Sequence, residues 1–382
     1  MFGLKRFWGK AEGLASGGFW IVEILPYRYR ASQIIRESSG KRLSVNQIER
    51  FSAFDELKSF CRRFLLIGDQ PIILSLGSET AATVYTSQQL IRHQPAVAIT
   101  EPELEGLVSQ LLWRFLSARS RLDFSISQLH LRQVVVDGHR VTNPIGLSGE
   151  KIDFSFSWTA VRSSFLSEVR NFLPLEKVAL VAEAGPLWVN VIANSVNPPQ
   201  PFLLIPIYYD SAPVFIKQSR EIKYLRTLSW GEKNLTSVLF GRLGITAGSA
   251  RQIIKAYCQE EVSIFLKRKI ADFWKKDLQV FRRSIEGILR KEKINRVFFW
   301  PFSFFPHQLV RFQRRAVTIE VVDNKLVTQD LGYKLKFKSG LGNFPDNLPA
   351  VMAAIEASTL SLDSLLNKIA RRRVHWQKPD RN

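Results

Sequence analysis

The chain has 382 residues, is 46% hydrophobic and 12% aromatic, and carries a net charge of +20. That length and apolar content support a packed core of two domains or one large body and exclude overall disorder. Two cysteines, Cys61 and Cys258, and five scattered histidines exclude a disulfide framework and a zinc site, and point to a reducing interior compartment.

The charge is unevenly placed: −1 over residues 71–199, +10 over 200–300 and +6 over 301–382. A positive field of this kind suits anionic membrane surfaces, nucleic acid or acidic peptides. No secretory signal is read at Met1–Lys10, where charges interrupt the apolar residues. The most apolar long stretch, 178–196, contains Glu183, Pro186 and Asn190 and reads as core rather than as a membrane span.

In chain order, residues 1–16 form a basic, aromatic leader. Strands are expected at 19–25 and 27–35. The spacing of Ile48, Phe51, Phe54, Leu57, Phe60 and Phe64 predicts a helix over 44–66. Strands follow within 72–91, then a helix over 101–118 with Leu104, Leu107, Val108, Leu111, Leu112 and Phe115 inward. Strands at 126–137 and 150–161 flank a loop, and a short helix spans 162–172. The run Asn197-Pro198-Pro199-Gln200-Pro201 is the expected lobe boundary. Beyond it come a meander at 202–208, 213–217 and 222–228, a long basic helical region over 246–293, strands near 297–337, and helices at 346–358 and 359–376.

The segment 134–153 is the most informative. Val134-Val135-Val136 runs into an Asp137-Gly138 turn, and a second turn follows at Asn143-Pro144, with Gly146 and Gly149 free to take positive φ. A strand then alternates, with Ile152, Phe154, Phe156 and Trp158 on one face and Asp153, Ser155 and Ser157 on the other. The pattern holds no nucleophile–base pair and no metal spacing. Gly146-Leu147-Ser148-Gly149 lacks the glycine spacing of a nucleophile elbow, and Asp137 with His139 reads as a hairpin turn.

The Asn143–Gly149 run after a strand and an Asp-Gly turn resembles the actin-like division protein family FtsA, where it lies in the inserted subdomain 1C. Ile72–Thr80 and Ile99–Leu104 are similar to that family's preceding strand and helix start. Leu228–Thr236 and Ser249–Lys255 are similar to its Gly-Gly-Asn-x-x-Thr and Ala-Glu-x-x-Lys segments. The resemblance covers roughly 70–260 and implies an α/β, bilobed, actin-like fold, a duplicated ribonuclease-H-like body with a 1C (SHS2-like) insertion. The implied domains are a first lobe 1A over 17–82 and 161–196, the insertion over 83–160, and a second lobe over 197–358. Within that second lobe the 2B part runs from 238 to 295, and a C-terminal helix and tail occupy 359–382.

An actin-like ATPase builds its phosphate turns from glycine and an aspartate for magnesium. The first turn expected from the resemblance is replaced by Pro26-Tyr27, the second by Tyr208-Tyr209-Asp210, and the adenosine-side turn by Pro301-Phe302. The expectation is a pseudo-ATPase with no catalytic residue, no metal and no cofactor; ATP with magnesium enters only if the degenerate cleft still binds.

Two basic segments are candidate surfaces. Leu362, Leu365, Leu366, Ile369 and Trp376, with Lys368, Arg371, Arg372 and Arg373, form an amphipathic stripe suited to a membrane interface. The FtsA family also ends in a membrane-targeting helix. Lys267, Arg268, Lys269, Lys275 and Lys276 form a docking surface for an acidic peptide or lipid head groups, and in the family this region binds the tail of the tubulin-like protein FtsZ. The expected function is a non-catalytic FtsA-like scaffold of division or envelope assembly, cytoplasmic and peripheral on the inner membrane face. Its partners would be FtsZ or another division or envelope protein, without nucleic acid. A nucleotide-dependent polymerising ATPase, self-associating into filaments, and a PilM-type pilus adaptor are the alternatives.

Overall fold

In the computed structural model, residues 17–359 are described apart from 27, 38–40, 66–68, 118–123, 174–176, 196–200, 219–220, 302–303, 313–316, 323–325 and 339–343. Tyr27, Phe302, the leader and the C-terminal stripe 362–376 therefore lie outside the described residues. The chain divides into one unit of Met1–Leu187 with Gly332–Asn382, and a second of Trp188–Leu331.

The first unit starts with a hairpin. β1 (Gly17–Leu25) and β2 (Arg28–Arg36) pair antiparallel from Leu25↔Arg28 to Gly17↔Arg36. β3 (Arg42–Phe51) continues the meander, and β4 (Ile72–Leu76) and β9 (Val178–Glu183) add on the other side, parallel to β1. β15 (Lys334–Phe337) pairs parallel to β3 and closes the sheet in the order β15-β3-β2-β1-β4-β9. β4 is buried along its whole length, as a parallel strand covered on both faces must be. On one face Val22, Ile24, Leu74 and Leu76 meet Leu57 of α1 (Phe54–Phe60) and Leu166 and Val169 of α3 (Ser163–Arg170). On β1 also packs α8 (Phe344–Thr359), which buries Val351, Met352 and Ile355.

The helix expected over 44–66 is corrected here: 42–51 is strand, and helix begins only at Phe54. Hydrogen bonds from the Ser52 amide and hydroxyl to Glu56 mark the change of structure. The apparent helical spacing arose because Phe51 at the strand end and Phe60 on α1 enter the same aromatic cluster, their rings 5.3 Å apart. Helical periodicity and shared burial look alike when a strand end folds back over a helix.

Between β4 and α3 the chain builds a separate sheet. β5 (Ala81–Ile91), β6 (Phe124–Val136), β7 (His139–Val141) and β8 (Lys151–Arg162) are antiparallel in the order β5-β8-β6-β7. α2 (Glu101–Ser117) lays Leu104, Val108 and Leu111 on the face made by Ile152, Phe154, Phe156 and Trp158, giving this part its own core. The opposite face is polar and turns toward the unit's own elements. The Thr83 amide donates to Glu183 at 2.6 Å, and Arg132 lies 3.7 Å from Glu356 of α8.

The second unit repeats the first sheet's plan. β10 (Phe202–Ile207), β11 (Ala212–Gln218) and β12 (Glu221–Leu228) form an antiparallel meander. β13 (Arg296–Pro301) lies parallel to β10, and β14 (Thr318–Val321) parallel to β13. The order β12-β11-β10-β13-β14 matches β3-β2-β1-β4-β9 position for position. One sheet order occurring twice is the duplicated ribonuclease-H-like arrangement that the resemblance implied. α5 (Glu232–Leu243), α6 (Ala247–Cys258) and α7 (Ile264–Lys291) cover one face of this sheet around Trp274, Phe281 and Leu239.

Two boundaries differ from those read in the sequence. The division falls inside α4 (Ala184–Ser195), between Leu187 and Trp188 and ahead of the proline run. Residues 332–358, assigned to the second lobe by sequence, belong to the first unit, because β15 completes its sheet and the apolar row of α8 packs on β1.

Trp274 is fully buried, donates from Nε1 to the Leu235 carbonyl at 3.1 Å and meets Tyr257 edge-on at 5.1 Å. Trp274→Ala is expected to lower unfolding stability by about 3–5 kcal/mol in urea titrations.

Candidate functional site

The turn motif at 134–153 folds as a clasp at one end of the four-stranded sheet. Asp137, at φ 46°, and Gly138, at φ 82°, make the β6–β7 turn in the left-handed region. The Asp137 carboxylate accepts the amides of Lys151 at 2.7 Å and Glu150 at 3.0 Å. Those two amides hold the carboxyl below the ordinary aspartate range, Lys151 most strongly. Asn143 Oδ1 accepts from the Ile145 amide across Pro144, Gly146 takes φ 87°, and a Cβ on Gly149 would strike Val136 and Asp137. Every motif residue thus has a local structural duty.

Arg92 closes the clasp from the other side. Its side chain is buried; Nη1 donates to the Gly149 carbonyl and Nη2 to the Val97 carbonyl, both at 2.9 Å, and Nε and Nη2 grip the two Glu103 oxygens at 2.7 and 2.8 Å. The guanidinium lowers the Glu103 pKa, and Glu103 raises that of Arg92. Sequence reasoning missed Arg92; its signal was an arginine at a strand end eleven residues before the first-turn acid of an amphipathic helix.

The three replaced turns are partly within view. Pro26 follows β1 and brings no amide. Three residues back, Glu23 is fully buried and lies 3.6 Å from the buried Arg30, its cross-strand partner. This carboxylate was overlooked in the sequence, although a two-residue turn after Leu25 puts positions 23 and 30 opposite each other. The strand thus carries an acid ahead of the turn where the resemblance implied an aspartate, and that acid is ion-paired within the sheet.

The second turn, Tyr208–Ser211, sits on the N-terminus of α5. The amide of Glu232 donates to the Tyr208 carbonyl at 3.1 Å and that of Lys233 to the Tyr209 carbonyl at 2.6 Å. Helix N-terminal amides are the usual cradle for an anion; here main-chain carbonyls occupy two of them. Gly231 permits this approach, since a Cβ there would lie 2.5 Å from both carbonyl oxygens, and its own amide donates to Asn234 Oδ1 at 3.0 Å. The Gly-Glu-Lys-Asn-Leu-Thr segment singled out in the sequence is the capping device of α5. Asp210 is exposed beside this turn. At the third place Pro206 and Pro301 lie at adjacent strand ends, Pro206 opposite Trp300 and Ile207 opposite Pro301, and the Trp300 ring is buried 5.3 Å from that of Trp188.

Lys267, Arg268, Lys269, Lys275 and Lys276 lie on α7. Lys267 is half-buried and pairs with Glu260 at 3.1 Å, while the other four are exposed. Among the described residues no cluster of three metal-ligating side chains occurs and no helix is long and apolar enough to cross a membrane. Burial pushes the thiols of Cys61 and Cys258 up to about 12.

No protein-family model matches the sequence, and no curated protein sequence matches it. Among solved structures the chain is similar to the PilM-PilN type IV pilus biogenesis complex, at 14% identity and TM-score 0.48 over 94% of this chain and 98% of that one. It is also similar to the ethanolamine utilization protein EutJ from Carboxydothermus hydrogenoformans, at 8% identity and TM-score 0.41 over 89% and 90%. A third likeness is a Bacteroides thetaiotaomicron protein with an actin-like ATPase fold, at 5% identity and TM-score 0.37 over 88% and 96%. At these values the fold assignment rests on the duplicated strand order.

Two outcomes check this site. Gly231→Ala is expected to cost about 1–3 kcal/mol in thermal or urea unfolding, because the Tyr208–Tyr209 carbonyls must withdraw from α5. Asp137→Asn is expected to destabilise the protein at neutral pH, with the gap closing as pH falls through the carboxylate range. The depressed folded-state pKa means that the unfolded chain takes up its proton first, so the stabilisation is present at high pH and lost on acidification.

Proposed function

We propose that the protein is a non-catalytic FtsA-like adaptor, a pseudo-ATPase that links a division or envelope-assembly machinery to the cytoplasmic face of the membrane. The observation that carries this reading is the seating of the Tyr208 and Tyr209 carbonyls on the α5 amides. A phosphate turn presents amides to an anion; this turn presents carbonyls to its own helix. Pro26, in the turn after β1, and Pro301, at the end of β13, each lack the amide that a phosphate or adenosine turn would offer there. The residues present at these turns do not fit a magnesium nucleotide.

The four-stranded sheet with α2, inserted between β4 and α3, supports the 1C-type reading of 83–160. In this role the insertion and the second unit are surfaces for protein partners, the tail of FtsZ or of another division or envelope protein. The C-terminal stripe Leu362, Leu365, Leu366, Ile369 and Trp376 is the proposed membrane attachment.

The reading is tested by isothermal calorimetry and thermal shift with Mg-ATP. No saturable heat and no change in melting temperature are expected at millimolar nucleotide. A saturable stabilisation of about 2–3 kcal/mol at a hundredfold excess over Kd would replace the adaptor with a nucleotide-dependent polymerising ATPase.

A further inference from the structure

α7 is the longest helix among the described residues, with 28 residues, and its two faces differ sharply. Ile270, Trp274, Leu278, Phe281, Ile285 and Leu289 are buried in the core of the second unit. At 100° per residue the opposite crest runs through Phe265, Lys269, Asp272, Lys276, Arg283 and Arg290, all exposed. Arg268 and Lys275 flank it and are exposed as well. Lys267 and Arg282 are not counted, since they lie 3.1 Å from Glu260 and 3.7 Å from Glu286. At the N-terminal end of the helix Phe265, on the crest, is 75% exposed, and Ile264, on the flank that also carries Arg268 and Lys275, is 67% exposed.

We propose that this crest of α7 is a second membrane-contact surface, which lies along an anionic bilayer with its lysines and arginines at the phosphates and Ile264 and Phe265 in the head-group boundary. It rests on the reading of the protein as a membrane-face adaptor but uses a segment independent of the C-terminal stripe. Charge complementarity selects the occupant. From Phe265 to Arg290 the crest spans about 38 Å at 1.5 Å per residue, and together with its flanking Arg268 and Lys275 it presents six exposed bases against one exposed acid, Asp272. Such a row matches a continuous sheet of negative charge. A helical or extended peptide is instead gripped by a groove or a sheet edge, and the crest is the convex outer side of one helix. Neither peptide nor phosphate backbone accounts for an isoleucine and a phenylalanine standing in water beside those bases, whereas insertion of apolar side chains next to basic ones is how an interfacial helix binds. The buried inner face keeps α7 fixed to its unit while the crest engages.

The test uses the full chain in flotation with phosphatidylcholine vesicles, with and without about one third phosphatidylserine. Four variants are compared: Lys276→Glu with Arg283→Glu on the crest; Ile264→Ser with Phe265→Ser; Arg63→Glu with Arg114→Glu, an equal charge change on exposed sites of the first unit; and Leu365→Glu with Ile369→Glu in the C-terminal stripe. The crest reversal is expected to weaken partition into anionic vesicles by on the order of thirtyfold at low salt, with the difference shrinking as salt rises. The Ile264–Phe265 variant is expected to weaken it in a salt-independent way, and the first-unit control to leave it within about twofold. The proposal is overturned if the crest and control variants behave alike. It is also overturned if the crest reversal abolishes capture of a duplex DNA or of poly-glutamate while vesicle binding is unchanged. If only the stripe variant releases the protein, the crest proposal falls and C-terminal attachment stands. If the unmodified chain ignores anionic vesicles, both fall.

Discussion

Each unit is organised around a strand that has no solvent face. β4 in the first and β10 in the second are buried from end to end. Such a strand must be covered by helices or further chain on both sides, since apolar side chains alternate to both faces. That requirement accounts for α1, α3 and α8 around the first sheet and for the α5–α7 layer of the second. It also draws the chain back from β14 to β15, because the meander edge at β3 and the far face of β1 are finished only by residues beyond 332. The candidate turns all lie at strand ends.

The sequence was most readable where a single period ran without interruption. Ile152, Phe154, Phe156 and Trp158 alternate into one core, and Leu104, Val108 and Leu111 meet them from α2. The meander at 202–228 and the inner face of α7 were equally plain. Legibility failed where two elements share a cluster. Phe51 and Phe60 contact each other from a strand and a helix, and their numbering imitates a helix. Long-range closure was also hidden, because nothing local in Lys334–Phe337 says that it pairs with Arg42–Val45 nearly three hundred residues earlier.

The candidate site divides in the same way. Its glycines and turn residues could be named from the chain, since positive φ and tight approach leave compositional marks at Gly138, Gly146 and Gly149. What those residues grip could not. Arg92 reaches Gly149 across 57 positions, and Glu23 finds Arg30 only once the hairpin register is known. The motif at 134–153, read in the sequence as the mark of an inserted subdomain, holds its own loop together.

The seating of Tyr208 and Tyr209 on α5 has a consequence for anyone redesigning this protein. The groups that fill the helix N-terminus are main-chain carbonyls, so trimming both tyrosines to glycine would clear two rings and leave the obstruction in place. Building an anion cradle there would mean re-routing the backbone between β10 and β11, with a different loop length or a peptide-plane flip, while Gly231 still admits the present path against the helix. The barrier to phosphate contact at this helix end is therefore topographic, and side-chain libraries at these positions would sample around it without crossing it.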